Sequence, residues 1–209
     1  MRTSDRILAT ALHLFNLHGT DSMTVRHIAR EMGISHGNLC YHFPRTEDII
    51  QQLYLNLVAE LNDVFGQLQH QPPGIPTLLD SLRLTFAAQY RYRFLLLDFV
   101  RIMRRLPAVQ AHFRQLYTQR REQLRGALNG LREAGILLPE QYPGQHDQLI
   151  AQFYLLGDFW IAEAEILFEG SETDKLAYYA RVAAGLIYPH LTDRGRQELL
   201  PFLTSAAPQ

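Results

Sequence analysis

Five side chains able to give or take hydrogen bonds (His36, Asn38, Cys40, Tyr41 and His42) fall within seven consecutive positions. Small residues precede and separate them at Ser35 and Gly37. Imidazole and amide groups match the donor and acceptor pattern along base edges in a major groove. The chemistry on offer is therefore recognition. Catalytic patterns are missing from the chain. It has no glycine-rich phosphate loop with lysine, no cysteine pair and no Gly-x-Ser-x-Gly elbow. No two of its nine histidines stand at the helical i, i+4 spacing that, with a glutamate, a zinc site needs. Glu163 and Glu165 lie two apart on a helix and point in different directions. The expectation is a non-enzyme with no cofactor and no metal.

The elements that hold this run read as two short helices joined by a tight turn across residues 24–43, the layout of a helix-turn-helix. Thr24 caps the first helix, and Ala29 keeps it slim where the second crosses. Gly33 opens the turn because glycine tolerates the left-handed conformation. Ser35 caps the second helix. Leu39 plugs it into a small core with Val25, Ile28 and the preceding helix. That preceding helix spans 4–18, with Ile7, Leu8, Ala11, Leu12 and Phe15 at helical spacing. Phe43-Pro44 stops the second helix. Thr46-Glu47-Asp48 starts a long fourth one, its acids at the positive end.

This block resembles the N-terminal domain of the TetR family of bacterial transcriptional regulators. The resemblance rests on Ala11, Phe15 and Gly19, on Thr24 to Ala29, on Gly33-Ile34-Ser35, on Gly37 to Phe43 and on Glu47-Asp48-Ile49. It covers the first quarter of the chain; the remainder agrees in length and helical character. The resemblance implies that Thr24 and Arg26 meet phosphate or a base edge. It sets Ser35, His36, Gly37 and Asn38 at the exposed start of the reading helix, with Asn38 suited to adenine and His36 to guanine. Tyr41 and His42 would grip phosphates. The family usually has tyrosine where this chain has Cys40 and lysine where it has Thr46, both phosphate contacts, so Cys40 and Thr46 are counted by resemblance among the candidate DNA contacts. Losing one lysine contact predicts a shallower salt dependence of DNA binding than is usual. Cys40 has no cationic neighbour in sequence to make it a reactive thiol.

Composition agrees with a soluble globular protein of one or two domains. The chain has 209 residues, a net charge of −1 and one cysteine, which excludes an internal disulfide and fits a reducing compartment. No signal-peptide pattern opens it, and the apolar run Phe94 to Val100 is too short to span a bilayer. A cytoplasmic location is expected. Residues 1–50 carry five arginines and five acids, so DNA binding must rely on helix N-termini and specific contacts rather than bulk charge.

Beyond residue 50 the periodicity is helical throughout, with helices expected near 45–69, 75–90, 92–105, 107–134, 145–169, 173–189 and 194–203. The fold class is all-α: a three-helix DNA-binding domain over 1–50, then a helical ligand-binding and dimerisation domain over 51–209. Phe86, Tyr90, Phe94, Met103, His112 and Tyr117 are candidates to line an effector cavity between helices. Asp98 is expected to pair with Arg101. The arginines of 83–125 are expected to pair with the acids of 133–174, with an anion site at Arg101, Arg104 and Arg105 as the sharper reading. On 145–169 and 173–189, the residues Phe153, Gly157, Trp160, Ile161, Ala164, Tyr179, Ala183 and Leu186 are candidates for a homodimer interface, as the resemblance implies. The reading is a dimeric, ligand-responsive regulator, a repressor released from a palindromic duplex operator by a small apolar or amphipathic effector. Alternatives are a helical small-molecule-binding protein or enzyme with a vestigial helix-turn-helix, and an adaptor that binds another protein through its last long helices.

Overall fold

A computed structural model describes residues 2–68 and 70–205. The described residues form the helices α1 (Thr3–His18), α2 (Val25–Glu31), α3 (His36–His42), α4 (Thr46–Leu68), α5 (Ile75–Arg91) and α6 (Arg93–Leu97). They continue with α7 (Phe99–Arg105), α8 (Pro107–Glu133), α9 (Gln145–Leu167), α10 (Glu172–Ile187), a 3-10 turn (Tyr188–His190) and α11 (Asp193–Thr204). Among these residues extended pairing is limited to one isolated bridge, Leu137 with Leu191.

Local chemistry explains the first helices. Gly19 ends α1 at φ 73° and Gly33 ends α2 at φ 65°, both left-handed. After Gly33, the Ile34 amide reaches back to the Ala29 carbonyl at 3.0 Å, closing the helix end. Thr24 and Ser35 cap α2 and α3 by accepting from the His27 and Asn38 amides. Glu47 and Asp48 occupy the first turn of α4.

The helix expected over 92–105 is instead two, α6 and α7, divided at Asp98 (φ −98°, ψ 16°). The Asp98 carboxylate accepts from the Thr20 hydroxyl at 2.7 Å and the Thr20 amide at 3.2 Å. It also takes the expected partner Arg101, at 2.8 Å. Two backbone breaks, at Tyr92 and Asp98, thus accompany bonds made to the α1 end.

The chain packs as two compact units, Met1–Glu60 with Gln89–Phe113, and Leu61–Ala88 with Arg114–Gln209. Segment 89–113, assigned by sequence to the second domain, therefore packs with the N-terminal block. In that first unit Ile7, Ala11, Phe15, Ile28, Leu39, Ile49 and Phe94 are buried, and the Phe15 and Phe94 rings lie 5.1 Å apart. In the second unit Trp160 stacks on Phe86 with centroids 5.0 Å apart and tilts against Tyr179 at 5.1 Å. Lys175 is buried there and donates to Glu165 at 2.7 Å, and the Tyr179 hydroxyl donates to Glu163.

The expected arginine-to-acid pairing occurs once among these ion pairs, between Arg125 and Asp147 at 2.5 Å. Arg101 and Arg105 pair instead with carboxylates of their own unit, Asp98 and Glu47.

Candidate nucleic-acid interface

Helix α3 presents one side to the core and the other to solvent. Leu39 is fully buried, whereas Ser35, His36, Gly37 and Asn38 are exposed and Tyr41 is 85% exposed. Cys40 and His42 are half-buried, and the Tyr41 and His42 rings meet edge-on at 5.2 Å. The Ser35 cap uses the Asn38 backbone amide, at 3.2 Å. Among the described residues the Asn38 side-chain amide has no protein partner, so both its donor and its acceptor face solvent. Thr24 and Arg26 are exposed at the start of α2. These residues share one unit, and their polar groups point outward.

Thr46 is only 9% exposed at the head of α4. The Cys40 Sγ lies 3.3 Å from His36 Nε2. The i, i+4 spacing of the two residues carried that signal. His36 is left with Nδ1 as its free ring nitrogen.

Charge near the motif is locally balanced. The Arg45 side chain donates to Asp48, and this bond holds the Asp48 carboxyl below its ordinary range against the opposing effect of burial. Burial pushes Glu47 upward, but its own backbone amide and the Arg105 guanidinium outweigh that and keep it low.

The effector candidates do not share one unit. Phe86 and Tyr117 belong to the second, while Tyr90, Phe94, Met103 and His112 belong to the first. Phe94 packs on Phe15 as core of the DNA-reading block. His112 Nδ1 lies 2.9 Å from the Tyr54 hydroxyl, and burial pushes the Tyr54 phenol up to about 12. Tyr90 is buried with Arg93 over its ring at 5.0 Å. In the second unit the Tyr117 ring packs on Tyr154 at 4.6 Å, and burial raises the Tyr154 phenol.

One helical turn beyond Tyr154, burial pushes the Asp158 carboxyl up to about 6. Its folded pKa thus exceeds the unfolded value, so this group favours folding at acid pH and loses that contribution as pH rises from about 4 to about 6. Asp158→Asn should therefore raise stability at pH 7.5 by up to roughly 3 kcal/mol, an advantage that vanishes near pH 4 in denaturant titrations. Equal gains at both pH values would contradict this cause.

Of the dimer candidates, Trp160, Ile161, Ala164, Tyr179 and Ala183 are buried inside the chain itself, and Phe153, Gly157 and Leu186 are partly so. The exposed apolar side chains of α9 and α10 are Leu155, Phe159, Ile166, Leu167, Tyr178 and Val182. Helix α9 is apolar on most of its circumference, so periodicity did not separate its inner stripe from its outer one. Among the described residues no helix is long and apolar enough to cross a membrane.

Comparison with known proteins agrees with this arrangement. Residues 7–53 match the family described as bacterial regulatory proteins, tetR family, and residues 56–199 match one described as bacterial transcriptional repressor. No curated protein matches. Among solved structures, a TetR-family transcriptional regulator from Marinobacter aquaeolei VT8 is 25% identical, covers 97% of this chain and 98% of its own, and superposes with a TM-score of 0.88. A transcriptional regulator from Saccharomonospora viridis, solved in complex with choline, is 17% identical over 91% of this chain and 98% of its own, with a TM-score of 0.72. The ketosteroid transcriptional regulator KstR2 of Mycobacterium tuberculosis is 18% identical over 92% and 98%, with a TM-score of 0.64. An exposed reading helix on a capped helix-turn-helix, followed by a helical body matched along nearly its whole length, makes this chain a member of the TetR family and a DNA-binding transcriptional regulator.

Proposed function

We propose that the protein is a homodimeric repressor that binds a palindromic operator and is released by a small apolar or amphipathic effector. The observation that carries this reading is the solvent-facing polar side of α3, where the Asn38 amide, unpartnered among the described residues, stands beside His36 and Tyr41. Thr24, Arg26, Ser35, His36, Gly37, Asn38, Cys40, Tyr41 and His42 are the proposed DNA contacts. Thr46, 9% exposed, is the least accessible of the candidate contacts. Its work is binding rather than catalysis, in the cytoplasm where chromosomal DNA is found.

Dimerisation is proposed through the outer faces of α9 and α10, where Leu155, Phe159, Ile166 and Tyr178 are exposed. A water-facing apolar strip of this kind is stabilised when a second copy covers it. Phe159→Glu should convert the dimer to monomer in light scattering and weaken operator binding by about 10²-fold or more, since both half-sites no longer bind together. A Phe159→Glu dimer of unchanged stability would contradict the interface.

A small-molecule effector is supported by two proteins of the same fold captured with small molecules, the Saccharomonospora viridis regulator with choline and SmeT with triclosan. Phe86 and Tyr117 remain the candidates in the second unit. Helix α4 begins beside the reading motif and continues unbroken to Leu68. An effector that shifts this helix changes the separation of the two reading heads and favours the dimer that cannot span the operator. A gel shift against DNA upstream of the protein's own coding sequence tests the DNA assignment. Retardation that is outcompeted by the same duplex and not by a scrambled one is expected; no retardation at low salt would overturn the assignment.

A further inference from the structure

We infer that Asp98, with Asn16, Thr20 and Arg101, is a positioning device for DNA reading that acts through the turn before α2. The inference rests on the DNA-binding assignment and adds to it the residues that hold the reading motif at its working angle.

The bonds are specific and enclose the motif. Near the end of α1, Asn16 uses both ends of its amide: Nδ2 donates to the Arg91 carbonyl at 2.8 Å, and Oδ1 accepts from the Phe94 amide at 3.1 Å. That Phe94 amide is one of the donors a helix start leaves open. Thr20, only 2% exposed, gives both its hydroxyl and its amide to one oxygen of Asp98. The other Asp98 oxygen accepts from Arg101, and Arg101 also pairs with Asp21. On the far side of the motif, Arg105 donates twice to Glu47 in the first turn of α4, at 2.5 and 3.0 Å. One segment, Arg91 to Arg105, therefore grips the chain just before α2 and just after α3.

The backbone itself is shaped for this. A continuous helix over 92–105 would carry the Asp98 side chain in helical register; the break at Asp98 accompanies its three bonds to Thr20 and Arg101. Recognition sites lose function when their supporting groups allow displacements of about 1 Å. A part-buried carboxylate that receives three hydrogen bonds, one of them from a guanidinium, is a stiff support.

The test uses the full-length protein and a duplex that the wild type selects from a random pool. Thr20→Val and Asp98→Asn should each weaken specific binding by about 10- to 100-fold, the loss expected for a hydrogen bond to a charged group. Their losses should not add, because both break one contact. The slope of log affinity against log salt should stay at the wild-type value, since no phosphate contact is lost. Tolerance of altered half-site spacing should widen, and Thr20→Ser should restore binding. Arg101→Gln, at an exposed position, should give a smaller loss of about threefold to tenfold and keeps the test decisive if a buried variant fails to fold. Folded variants within twofold of wild type would overturn the inference, as would a slope reduced by about one phosphate contact. A wild type that selects no duplex overturns both this inference and the DNA-binding assignment, whereas selective wild-type binding with unaffected variants overturns this one alone.

Discussion

Trp160→Ala should lower the stability of the protein by about 3–5 kcal/mol, the range for removing a fully buried aromatic side chain. Trp160 is 1% exposed. Its ring stacks on Phe86 at an interplanar angle of 14° and leans on Tyr179, so truncation leaves a cavity walled by two rigid rings. The mode of loss discriminates between two roles. An interface tryptophan would affect association, and its melting temperature would climb with protein concentration. A core tryptophan lowers the melting temperature by the same amount at every concentration. Trp160→Phe should recover most of the loss, because a smaller ring still meets Phe86. A loss below about 1 kcal/mol, with the dimer dissociated, would return Trp160 to the interface role its sequence context suggested.

Asn38→Ala should relax base preference at one position of each half-site, at a cost of about 1–3 kcal/mol for the preferred base. The side chain is exposed, and the cap on α3 uses the backbone amide of this residue, so the helix survives the change. Melting should be unaffected, which isolates recognition from folding. His36→Ala is expected to act at a neighbouring position, but its Nε2 also lies against the Cys40 thiol, so the comparison requires Cys40→Ser as a control. Base-by-base binding to a substituted operator measures both. Uniform weakening on every duplex would mean that these groups touch phosphates.

What was legible in the sequence was chemistry that acts over a few residues. Thr24 and Ser35 as caps, Gly33 in a left-handed turn and Leu39 as the plug all depend on neighbours within one or two turns, and each appears in the structure as read. The break at Asp98 was not legible, because its partner Thr20 lies 78 positions away and nothing near Asp98 signals it. Thr46 was read as a surface contact by analogy, but its packing at the head of α4 is a tertiary matter. The inner and outer stripes of α9 were not separable by periodicity, since a helix apolar on several faces has no single inward direction. The effector candidates were gathered by aromatic density, yet Phe94 belongs to the core around Phe15.

The central claim is that the outer side of α3 reads base edges in duplex DNA. Selection of random duplexes by the full-length protein, followed by titration of the enriched sequence, tests it most directly. The account predicts a palindrome with half-sites about 10 base pairs apart, bound about 10³-fold or more tighter than a scrambled duplex. Enrichment of no sequence, with equal affinity for all duplexes at low salt, would contradict it.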